Sequence, residues 1–95
     1  MSEVRTAPVP FTLVDEIVKD SPPGAAEYWP GGGGFNFRCP CGCKAVGGVR
    51  LEGQGAWTWD GNREKPTISP SVLLYGGPGS GHWHGWLRNG VWESC

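Results

Sequence analysis

From residue 35 onward apolar and polar positions alternate, which is the period of a strand with one buried face. Phe35-Asn36-Phe37-Arg38 carries the first such stretch, and Val46 to Leu51 the second. Within the second, Gly47-Gly48 marks a bulge or a close approach of another chain segment. Ala56-Trp57-Thr58-Trp59 puts both indoles on one strand face, and Asp60-Gly61 supplies a turn. Thr67 to Leu74 reads as extended, with Pro70 suited to an edge or a bulge. A glycine-rich loop, Tyr75 to Gly81, leads to His82–Leu87 and Val91-Trp92, joined as a hairpin around Asn89-Gly90. The pattern predicts a small all-β fold of about five short, loop-linked strands, arranged as a sheet or half-barrel, with no long helix.

The first 31 residues read differently. Val14, Ile17 and Val18 suit a short helix, yet Leu13-Val14 and Ile17-Val18 also suit a strand. Ser21-Pro22-Pro23-Gly24 ends either one, and Pro30 with the run Gly31 to Gly34 forms a flexible joint. The organisation expected is an N-terminal arm over 1–31 and a β-rich metal-binding core over 32–95.

Composition sharpens this picture. Gly (17) and Pro (9) would suit a low-complexity chain, but six Trp among 95 residues argue for a packed domain. A chain this short buries roughly 60–65% of its unfolded surface, so a staple is of value. No apolar run reaches the roughly 18–20 residues of a membrane span, and the N-terminus lacks the basic end and apolar stretch of a signal peptide. The expected location is the cytoplasm. The net charge of −1 divides into −3 over residues 1–31 and +2 over 32–95, too little for a basic patch.

The staple is suggested by Cys39-Pro40-Cys41-Gly42-Cys43, three thiols within five residues. Adjacent disulfides are geometrically poor at such spacing, whereas a metal accommodates all three, with Pro and Gly bending the backbone toward the thiolates. His82-Trp83-His84 places two imidazoles on one strand face, 38 residues further on. Thiolate with imidazole favours one zinc ion over magnesium or calcium. Cys39, Cys41, Cys43, His82 and His84 compete for four places. Redox chemistry of the thiols, and a hydrogen-bonded His84 among Trp83 and Trp86, are the plainer alternatives. Cys95 is a weaker candidate at the end of the chain.

The tryptophans are read mainly as core fillers. Trp57, Trp59, Arg63, Trp83 and Arg88 form a candidate binding surface, since Arg beside aromatics suits stacking or peptide contacts. No serine elbow, phosphate loop or helical His-Glu-x-x-His occurs, so no catalytic residue is assigned.

Four segments together resemble one family: Phe37 to Cys43, Trp57 to Asn62, Pro66 to Val72, and His82 to Trp92. The family is domain-of-unknown-function family 6527 (DUF6527), small phage and prophage proteins often labelled "ammonia monooxygenase". The resemblance implies a β-rich zinc-binding domain. Some relatives neighbour bacterial ubiquitin-like conjugation genes, which implies protein partners. Many relatives carry a cysteine shortly before the position of His84, where this chain has Gly81-His82-Trp83. The leading expectation is a phage-encoded module with a structural zinc that binds a host or phage protein. The alternatives are a zinc hydrolase with an open coordination position, drawing its base from Asp60, Glu64 or Glu93, and a nucleic-acid-binding module.

Overall fold

Alternating burial carries the chain into two facing β-sheets. The computed structural model describes residues 6–74 and 83–95. In that part the strands are β1 (Val9–Pro10), β2 (Thr12–Leu13), β3 (Ala25–Tyr28), β4 (Gly34–Arg38), β5 (Val46–Arg50), β6 (Thr58–Trp59), β7 (Ile68–Leu74), β8 (Trp83–Arg88) and β9 (Val91–Ser94). One sheet has the order β1-β9-β8-β7-β6 and the other β2-β3-β4-β5. Every pairing is antiparallel except β2 with β3. The all-β expectation holds.

Residues 9–28, read from the sequence as part of an arm, supply an edge strand to each sheet and the whole of β3. Phe11 lies between β1 and β2, and its buried ring meets Phe35 edge-on at 5.5 Å. The ambiguous stretch 12–19 contributes only the two residues of β2 as regular structure.

The core lies between the sheets. Phe35, Phe37 and Val49 enter from one side, and Ile68, Val72, Trp83, Leu87 and Trp92 from the other. Phe37 stacks on Trp92 with ring centroids 4.6 Å apart, and Trp83 meets Trp92 edge-on at 5.8 Å. The period of two explains which side chains of β8 remain outside. Trp83, Gly85 and Leu87 face the core, so His84, Trp86 and Arg88 face outward. Asn89 (φ 51°) and Gly90 (φ 75°) form the tight turn to β9 that the Asn-Gly pair suggested.

Gly85 is required by a close approach. A Cβ there would lie 2.1 Å from the Glu93 carbonyl oxygen and 2.6 Å from the Trp83 ring. Backbone on one side and a fully buried indole on the other leave nowhere for it to go. Gly85→Ala will therefore destabilise the fold by about 2–3 kcal/mol, as overpacking does. A lower urea midpoint would show this, and an unchanged midpoint would contradict the packing.

β7 is the irregular strand. Ile68 is opposite Leu87 and Val72 opposite Gly85, so the chain takes four steps on β7 against two on β8. The extra residues form a bulge over Ser69, Pro70 and Ser71. Pro70 has no N–H to give to a ladder, and a bulge is where a strand tolerates that.

Candidate functional site

The bulge displaces Ser71 from the regular ladder, and its hydroxyl meets a histidine of the neighbouring strand. Ser71 Oγ lies 2.8 Å from His84 Nε2. Both residues are half-buried on the outer face of the sheet. Main-chain bonds hold the pair from each side. The Trp57 indole N–H donates to the Ser71 carbonyl at 3.2 Å, and the Cys95 N–H donates to the His84 carbonyl at 3.0 Å. A hydroxyl within hydrogen-bond reach of an imidazole is the minimal unit of an activated serine nucleophile. Serving as base requires Ser71 O–H to donate to Nε2, with the ring proton on Nδ1.

A second cluster lies in the turn between β4 and β5. Sγ of Cys39, Cys41 and Cys43 lie within 4.8 Å of one another, and Cys39 and Cys41 are 3.2 Å apart. The turn is built for convergence. Gly42 N–H donates to the Cys39 carbonyl at 3.1 Å, Cys39 N–H donates to Ala45 at 2.8 Å, and Gly42 takes φ 92°. Arg38 clamps its base, donating from Nη1 to the Lys44 carbonyl and from Nη2 to the Val18 carbonyl at 2.7 Å. Three thiolates around tetrahedral zinc stand about 3.8 Å apart, given Zn–S bonds of about 2.3 Å. The observed spacing suits such an ion with little movement. Burial pushes the Cys39 thiol well up, beyond what the backbone near Cys41 offsets. Burial also raises Cys43, but the Ala45 N–H and the neighbouring thiols outweigh it and hold Cys43 below its ordinary value.

His84 is not in this group of three, since Nε2 is engaged by Ser71 on the other sheet. His82 lies outside the described residues. Cys95 is exposed next to β9. Of the surface candidates, Trp57 and Trp59 are half-buried against the core, while Arg63 stacks on Tyr28 and Arg88 on Trp86. Trp83 is a correction. It is fully buried, because odd-numbered residues of β8 face inward, so it cannot contribute to a surface.

A family model described as "Bacterial ubiquitination-like system serine protease (BubE)" matches residues 13–95. The chain belongs to the BubE family. This overturns the assignment to DUF6527, whose apparent motifs lie inside the BubE match. The match names a bacterial system, and nothing in it points to a phage. No curated protein and no solved structure matches the chain. Among the described residues no helix is long and apolar enough to cross a membrane.

Membership in BubE draws attention to serine, the residue type that sequence reasoning passed over. Ser71 sits in Ser69-Pro70-Ser71, without the strand–turn–helix context that exposes a serine in better-known hydrolases. The available signal was indirect: a proline expected at a bulge, beside a serine, one strand away from a singled-out histidine.

Proposed function

We propose that this BubE chain is a serine peptidase acting on protein partners of a bacterial ubiquitination-like system. Ser71 is its nucleophile and His84 its general base, and a zinc ion held by Cys39, Cys41 and Cys43 fixes the β4–β5 turn. The observation that carries the reading is the 2.8 Å contact between Ser71 Oγ and His84 Nε2 in a family described as serine proteases.

The chemistry follows from the pair. Ser71 Oγ attacks the scissile carbonyl carbon while its proton passes to His84 Nε2. As the tetrahedral adduct collapses, the C–N bond breaks and the imidazolium returns the proton to the leaving amine. The acyl group is then an ester on Oγ. Water attacks that ester, gives a proton to Nε2, and the proton returns to Oγ as the acid departs. Zinc, when bound to the thiolates, supplies structural cross-linking of the turn.

A fluorophosphonate tests the assignment, because it forms a stable adduct only with an activated serine. Peptide mapping of the treated protein is expected to place the adduct on Ser71. An adduct confined to another residue, or none at all, would overturn the reading.

A further inference from the structure

Ser71 stands beside a length of sheet edge that β6 does not cover. β6 meets β7 only at Trp59 with Ile68 and Thr58 with Ser69. At Trp57 the chain leaves for the other sheet, its N–H donating to the Arg50 carbonyl at 2.9 Å. Among the described residues, no strand pairs with β7 on that side beyond Ser69.

The direction of the peptide groups on that edge can be worked out. Cys95 N–H donates to the His84 carbonyl, so the backbone groups of His84 face β9. Leu73 is the residue opposite His84 on β7. In an antiparallel ladder, opposite residues either exchange both bonds or both turn away. His84 turns away, so the N–H and C=O of Leu73 face the uncovered side. Val72 and Leu74, opposite Gly85 and Trp83, carry the ladder instead. The side chain of Leu73 is 40% exposed on the face that carries His84.

We propose that Leu73 is the main-chain clamp for an extended peptide substrate, which joins β7 as an antiparallel strand and so brings its scissile carbonyl to Ser71. This rests on the peptidase reading above. A residue offering N–H and C=O to the same side is matched by one residue of an antiparallel partner through two bonds. Residues two apart on a strand lie about 6.6–6.8 Å apart. The substrate residue two positions beyond the one held by Leu73 therefore lies beside Ser71. If that residue carries the scissile carbonyl, the third residue before the cut is the one clamped. The Ser71 carbonyl is occupied by the Trp57 indole, which leaves the residue beside Ser71 free to tilt its carbonyl toward Oγ. Recognition of this kind reads backbone, so it selects an unfolded tail or loop over a folded surface.

The test uses acetyl-Ala-Ala-Ala diphenyl phosphonate, which reacts with an activated serine, and two N-methylated forms. Methylation of the first alanine nitrogen removes the N–H that the Leu73 carbonyl would accept. Methylation of the second alters an N–H that points away from β7. The first form is expected to label Ser71 about tenfold more slowly than the parent, as losing a main-chain hydrogen bond does. The second is expected to stay within about threefold of the parent. Equal rates for all three, greater loss for the second form, or no labelling by the peptide phosphonate while a plain fluorophosphonate still labels Ser71, would overturn the clamp alone. Failure of the plain fluorophosphonate to label Ser71 would overturn the peptidase reading and the clamp with it.

Discussion

Ser71→Ala will reduce peptide hydrolysis by a factor of about 10³ or more while leaving the fold in place. The size of the loss comes from removing the atom that forms the covalent intermediate, at about 1.36 kcal/mol of barrier per tenfold of rate. The fold should survive because Ser71 is half-buried within a bulge, and among the described residues its side chain bonds to His84. Losing one such bond costs about 1 kcal/mol. His84→Gln keeps a polar side chain on the outer face of β8 but cannot take the proton, so it should lose activity comparably. The double variant Ser71→Ala/His84→Gln should be no worse than Ser71→Ala alone, because residues that act as one unit are not additive. Measuring kcat/KM for the three variants, with a denaturation curve for each, checks this. Activity retained in folded Ser71→Ala would place the nucleophile elsewhere.

The second large effect is expected on stability. The native protein should hold one zinc ion, and a chelator should unfold it or lower the urea midpoint of its Trp fluorescence transition by about 1–2 M. Metal-binding free energy in a small domain is folding free energy, because the unfolded chain has no formed site. Cys39 is the crucial thiol. It is fully buried just after β4 and belongs to the core between the sheets. Cys39→Ser should therefore release the metal and cost the fold dearly, while exposed Cys95→Ser should change neither metal content nor stability. The ligating forms are thiolates, so binding releases protons and strengthens as pH rises. Without a metal, burial raises the Cys39 thiol, while the Ala45 N–H and the neighbouring thiols hold Cys43 toward its thiolate. Elemental analysis together with near-ultraviolet circular dichroism reads both effects. A metal-free chain with unchanged packing would contradict the staple.

The parts of this molecule that were legible in the sequence are those set by local rules. Phe35 and Phe37 alternate with Asn36 and Arg38, and both reached the buried face that the alternation assigned, whereas Trp83, read as part of a surface, is buried. Asn89-Gly90 needed positive φ at both positions and took it. The cysteine cluster is local too, since five consecutive residues and one Gly turn suffice to gather its sulfurs. What was hidden depends on pairing between distant segments. β1 and β2 are two-residue strands whose identity comes from their partners, Trp92 and Val91 for one and Ala25 and Ala26 for the other. The dyad is hidden for the same reason. His84 was read with His82 as a candidate metal ligand because the two share a strand face, and only the β7–β8 register, shifted by the Ser69–Ser71 bulge, reveals its serine.

The central claim is that Ser71 and His84 act together as an acylating pair, and the pre-steady-state burst with p-nitrophenyl acetate tests it most directly. About one p-nitrophenol per chain is expected in a burst before slow turnover. That burst should vanish in Ser71→Ala and in folded His84→Gln. A burst that survives in Ser71→Ala, as acylation of a cysteine thiol would give, or no burst in the native protein, would contradict it.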